Sequence, residues 1–179
     1  MDALSNHQDL ILSVNQFFST VGMVLPYFNM SAILLECNRA REEKNKCISR
    51  PMRALLNMIC AYASTTWPGR NPEVYYRQAL ALLDEQTLRG SSLELSQLHS
   101  SNFFLFGTGI DRGEVQALLL ISSFQQNSQR SVACWTHHAV AVKAAFQLGL
   151  HSPKAYKHNN LPDNELCKRV WYAVVNQDR

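Results

Sequence analysis

His137 and His138, a further histidine at His151, five cysteines and a set of charges near Arg179 are the residues whose types allow acid–base, nucleophilic or metal chemistry here. Side by side on a helix, His137 and His138 project about 100° apart, so they do not share one metal as an i, i+4 pair can. His137 has no acidic neighbour in its own helix and His138 lies near Trp135, so both read as structural or surface histidines. His151 sits in "AAFQLGLHSP", just past a helix end where a cation is favoured by the helix dipole. A catalytic role would need a partner acid or a nucleophile. The sequence holds no Ser or Cys in a nucleophile elbow, no Gly-rich phosphate loop and no His-Glu zinc motif. His151 is therefore expected to be a structural link, to a carboxylate or carbonyl near the last helix.

Cys37, Cys47, Cys60, Cys134 and Cys167 are odd in number, widely spaced and free of any Cys-x-x-Cys pair. They read as reduced thiols that fill core, not as a disulfide frame or a zinc site. Glu165 and Arg169 are spaced i, i+4 with the acid first, the order that supports a helix. With Trp171, Tyr172, Asp178 and Arg179 nearby, they form either a buried ion network or a solvated face, and composition leaves both open. No catalytic, cofactor-binding or metal-ligating residue is expected in this chain.

The elements that carry these residues follow from composition and periodicity. A chain of 179 residues, 46% hydrophobic and 17% charged, fits one domain with a buried core. Net charge is only +3, and the basic run "NRAREEKNKCISR" is diluted by acids, too weak a footprint for direct nucleic-acid binding. "MDALSNHQDL" lacks the basic start of a secretory or mitochondrial signal. Apolar runs such as Ala117 to Ile121 fall far short of the roughly 20 residues of a bilayer span. A soluble intracellular protein without membrane contact is the expectation.

Helical spacing dominates. Leu10, Val14, Phe17, Phe18 and Val21 share one face of a first helix closed by Gly22, and Pro26 breaks the chain before a second helix from about Ser31. Pro51 opens a third, on which Leu55, Ile59 and Tyr62 line up, and Asn71 with Pro72 and Glu73 caps a fourth. Gly113 to Asn127, Ser131 to Gly149 and Leu161 to Arg179 complete six or seven helices, so the fold class is all-α, an irregular multi-helix bundle. "AAFQLGLHSP" is a helix stop, with Gly149 past the last turn, Leu150 folding back and Pro153 preventing continuation. The stripe Leu166, Val170, Val174 is still running at Arg179, which predicts a bundle incomplete at that end with exposed apolar surface. The segment from Leu88 to Gly113, with its glycines, serines and "FFLF", is long for a loop in a small domain.

Order and spacing of these features resemble a known family. Trp135, Ala141, Ala145, Leu148, Gly149, Leu150 and His151, followed by Glu165, Lys168, Arg169, Trp171, Tyr172, Asp178 and Arg179, are similar to the signature of the fungal-specific transcription factor domain. That domain is also called the xylanolytic activator regulatory domain or middle homology region. "VQALLLIS" and "FFSTVGMVLPYF" resemble its earlier landmarks. Ala139 stands where the family has Gly, and Lys143 and Lys168 where it has Arg, which keeps charge but loses bidentate geometry.

The resemblance implies a partial regulatory domain over residues 1–179 that modulates DNA-templated transcription through a protein coregulator or a small-molecule effector. It implies nuclear localisation and no enzymatic activity. Zinc and DNA would be bound only by the six-cysteine zinc-cluster module of intact members, which nothing in this chain matches. The motif residues are then structural, and the oligomeric state is not implied. Residues 96–114 separate blocks that are adjacent in the family and read as an insertion. A helical-repeat interaction scaffold is the alternative suggested by "YYRQALALL", although the roughly 34-residue period of such scaffolds does not recur.

Overall fold

A computed structural model of the protein describes residues 6–42, 48–83, 112–152 and 161–177. Among them lie seven α-helices and no strand: α1 (His7–Ser19), α2 (Met30–Glu42), α3 (Arg50–Thr65), α4 (Pro72–Leu82), α5 (Arg112–Asn127), α6 (Ser131–Gln147) and α7 (Leu161–Gln177). The all-α expectation holds.

Helix starts follow the caps written in the sequence. Asn6 accepts the Gln8 N–H at 3.1 Å and Asn71 accepts that of Glu73 at 3.0 Å. Ser49 caps α3, so Pro51 is its second residue and not its first. A side-chain cap of this kind contributes about 1 kcal/mol. Gly22 behaves differently from expectation. α1 ends at Ser19, and Gly22 lies inside a 3₁₀ turn, Val21–Val24. A Cβ at Gly22 would sit 2.8 Å from the Phe17 ring, so the glycine is there to let the turn close on Phe17 and Phe18, not to supply a left-handed cap.

α3 and α5 form the centre. The sequence pattern marks one buried face on α3, yet every residue from Ala54 to Ser64 is buried. α5 is likewise buried without a break from Glu114 to Ser122. Such helices must be covered on all sides. α1 and α4 pack on α3, α2 packs on α1, α6 and α7 pack on α5, and α3 and α5 meet each other. Each buried Leu or Ile here, such as Leu55, Ile59 and Leu118, contributes roughly 1.5–3 kcal/mol by removal from water.

Aromatic edges stitch the elements together. Phe17 meets Phe28 and Tyr62, Tyr62 meets Phe124 at 5.6 Å, and Phe124 stacks on Tyr76 at 5.1 Å. Two hydrogen bonds cross this core: the Tyr62 hydroxyl donates to the Leu120 carbonyl and the Gln125 amide donates to the Tyr76 hydroxyl at 2.7 Å. Of residues 96–114, those up to 111 lie outside the described residues. Arg112, Gly113 and Glu114 are the first turn of α5, with Glu114 buried.

Candidate functional site

The residues singled out by sequence converge on α6, its C-terminal stop and α7. The stop is built as the spacing predicts. Gly149 has φ of 69°, its N–H donates to the Phe146 carbonyl at 3.0 Å, and the Leu150 N–H donates to the Ala145 carbonyl at 3.0 Å. This paired arrangement satisfies carbonyls that the helix end would otherwise leave open, and it turns the buried Leu150 back onto the helix. Ala141 and Ala145 are fully buried on the side of α6 that meets α5, where small side chains let the two helices approach closely. Leu148 is partly buried and packs against the same core. Pro153 lies outside the described residues.

His151 is exposed, and its described neighbours are rings: Phe146 at 4.8 Å and Trp171 at 6.0 Å between centroids. Phe146 and Trp171 meet edge to face at 5.3 Å. A link from the α6 stop to α7 is present, with aromatic partners where a carboxylate or carbonyl was expected. His137 Nδ1 lies 2.9 Å from the Ala133 carbonyl of its own helix, and His138 is buried on the inner face of α6. The two rings thus meet different surroundings, His137 partly exposed and His138 buried.

The question left open by Glu165 and Arg169 is answered by exposure. Their ion pair is 3.3 Å long, Lys168 approaches the same carboxylate at 3.9 Å, and all three side chains are about half exposed. This is a solvated face, contributing at most about 1 kcal/mol per pair. Arg169 also reaches back to the Pro26 carbonyl at 3.5 Å. Asp178 and Arg179 lie outside the described residues. On α7 the buried stripe is Cys167, Val170 and Val174: Val170 and Val174 stand as the spacing predicts, while Leu166 is only partly covered and Cys167 takes its place.

Two connections were missed in the sequence. Gln177 extends the α7 stripe as a polar residue, and its amide nitrogen lies 2.7 Å from Ser122 Oγ, 2.9 Å from Ser123 Oγ and 3.4 Å from the Leu119 carbonyl. It fastens the end of α7 to α5. The signal was its spacing, i+7 from Val170 and i+3 from Val174. The second is Arg130, which pairs with Glu73 at 2.9 Å and lies over the Tyr76 ring at 5.0 Å, tying the start of α6 to α4. The Arg130 hydrogen bond holds the Glu73 carboxyl below the usual carboxylate range. No local pattern announces a contact between residues so far apart in the chain.

Cys37, Cys60 and Cys167 are buried and Cys134 is partly exposed, all as free thiols, while Cys47 lies outside the described residues. Burial pushes the Cys37 thiol up to about 11 and the Cys60 thiol up to about 12, so both stay protonated and inert. Among the described residues, no three His, Cys, Asp or Glu side chains are grouped to hold a metal ion. No described helix is long and apolar enough to cross a membrane. Beside Trp135 a cleft of about 140 Å³ is lined by Gln126, Ser131, Cys134, His138 and Gln177. That is smaller than the roughly 300–1,000 Å³ typical of a drug-sized ligand site. On their outward sides α6 exposes Val132, Trp135 and Phe146, and α7 exposes Tyr172.

The chain matches the family described as the fungal specific transcription factor domain over residues 14–179. It is similar to Transcription factor FBD3 of Fusarium pseudograminearum (strain CS3096), at 26% identity over 182 residues that cover 99% of this chain and 22% of that protein. Transcription factor FBD3 of Gibberella moniliformis (strain M3125 / FGSC 7600) is 24% identical over 186 residues, with the same 99% and 22% coverage. The chain thus spans 22% of the length of these curated relatives. No solved structure matches it.

Proposed function

The chain belongs to the fungal specific transcription factor domain family, and from that premise we propose that it is the regulatory part of a fungal transcription factor. It modulates DNA-templated transcription in the nucleus through contacts with a protein coregulator or a small-molecule effector, and not by catalysis. DNA is reached through the zinc-cluster module of the intact regulator, which also holds the zinc. One observation carries the reading: the family match over residues 14–179 includes the α6 stop and the helix that packs against it. The scattered charge and net +3 of the chain fit a part that does not itself grip the phosphate backbone.

Two measurements test this. Tethered to a heterologous DNA-binding module in a fungal reporter strain, the chain should change reporter output relative to the module alone, and equal output would count against a regulatory role. In a gel shift the chain alone should retain no sequence-specific DNA. A specific shifted band would contradict the division of labour between this chain and a separate DNA reader.

A further inference from the structure

The outer face of α6 is apolar where a surface helix is ordinarily polar. Val132 is 81% exposed, Trp135 61% and Phe146 50%, and on α7 Tyr172 is 63% exposed. With Ala139 and Lys143, which are also exposed, the α6 residues recur at helical spacing along one stripe. From Val132 to Phe146 the stripe is about 21 Å long at 1.5 Å per residue. α6 and α7 run antiparallel, because Trp135 near the start of α6 shares a cleft with Gln177 at the end of α7, while Phe146 meets Trp171. The seam between two antiparallel helices is a groove of the kind that a third helix fills.

Charge selects the occupant. α6 has no Asp or Glu in its 17 residues, and Lys143 stands on the stripe itself. Lys168 and Arg169 share the outward face of α7 with Tyr172, against one carboxylate, Glu165, which both already engage. A second copy of the chain would bring Lys143 against the same basic face with no acid on α6 to answer it, and like charges oppose that docking.

We propose that the α6–α7 face docks an amphipathic helix of a coregulator protein, its apolar side on Trp135 and Phe146 and its flanking carboxylates on Lys143 and Lys168. This rests on the regulatory reading above and names the partner's chemistry.

The probes are synthetic 18-residue helical peptides with a Leu/Phe stripe flanked by Glu, the same stripe flanked by Lys, and a Glu-flanked version with Gln in the stripe. Each is titrated into the full chain and followed by peptide fluorescence anisotropy. The Glu-flanked peptide should bind, the Gln-stripe peptide should not, and Trp135→Ala should weaken binding roughly tenfold or more. Lys143→Glu with Lys168→Glu should weaken the Glu-flanked peptide and strengthen the Lys-flanked one. These residues are exposed, so circular-dichroism melts should be unchanged; if Trp135→Ala nonetheless fails to fold, the charge reversal decides alone. Equal binding of the two charged peptides, no loss in Trp135→Ala, or concentration-dependent dimers abolished by Trp135→Ala would each overturn the proposal. A silent reporter with intact peptide binding would instead sink the regulatory role and leave the docking surface standing.

Discussion

α3 and α6 are of nearly equal length and both rich in alanine and apolar side chains, yet they use these residues in opposite ways. On α3 the large side chains Leu55, Leu56, Met58 and Ile59 point into the core along with the small ones. On α6 the buried positions are His138, Ala141, Ala144 and Ala145, while Val132, Trp135 and Phe146 face outward. Small-in and large-out is the reverse of an ordinary surface helix. α3 therefore spends its apolar surface on this chain's own stability. α6 packs closely on α5 through alanines and keeps its large rings available outside. The contrast separates side chains that hold the fold from side chains that face solvent, where the proposed docking would occur, and it can be broken by experiment.

The largest effects should fall on the central pair. Leu55→Ala and Leu118→Ala remove fully buried side chains and should each lower unfolding free energy by roughly 2–5 kcal/mol, read from urea midpoints. Trp135→Ala should stay within about 0.5 kcal/mol in the same titration. If it costs as much as Leu118→Ala, the ring belongs to the core and the distinction between the helices collapses.

Next come changes on the inner side of α6. Ala145→Leu forces a larger side chain between α6 and α5 and should cost roughly 1–3 kcal/mol. Gly149→Ala places a Cβ at φ of 69° and should cost roughly 1–2 kcal/mol. Thermal melts check both, and unchanged midpoints would mean that α6 does not depend on close approach or on its left-handed stop. Gln177→Ala removes the amide that reaches Ser122 and Ser123 and should cost about 1 kcal/mol. Its clearest sign is faster amide hydrogen exchange along α7, with α3 unaffected.

How far these features could be read from sequence depended on whether their cause was local. The α6 stop was legible because Gly149, Leu150 and the preceding turn carry their own geometry, and the Asn71 cap was legible for the same reason. Gly22 was misread because the glycine is required by Phe17, a neighbour in space whose ring orientation no spacing rule supplies. The full burial of α3 was hidden because periodicity marks the most apolar face and is blind to how many elements will surround a helix. Trp135 was identified by type and register, but its exposure depends on what packs around α6, which is a property of the assembled bundle. The Arg130 strap was invisible because its partners are separated by the whole of α4, residues 84–111 and α5.

That strap supplies the smallest effect and the finest test of the contrast, since it joins α4, which packs on α3, to the start of α6. Arg130 and Arg77 both hold Glu73, at 2.9 Å and 3.1 Å, on a partly exposed surface. Screening by water limits the pair to about 0.2–1 kcal/mol. Because the Glu73 carboxyl is held below its ordinary range, its stabilisation is fully present above that range and is lost as pH falls through it toward the lowered value. Arg130→Gln should therefore lower the melting midpoint slightly at neutral pH and low salt. The difference from the parent chain should shrink at acidic pH, where Glu73 is protonated and only the Arg130 contact with the Tyr76 ring is left to lose, and shrink also in high salt. If the two helix groups were coupled through this strap and not through the α3–α5 core, the same substitution would speed hydrogen exchange across all of α6 at neutral pH. Exchange confined to the turn around Arg130 would instead leave the core as the element that holds α6 and α7 in place.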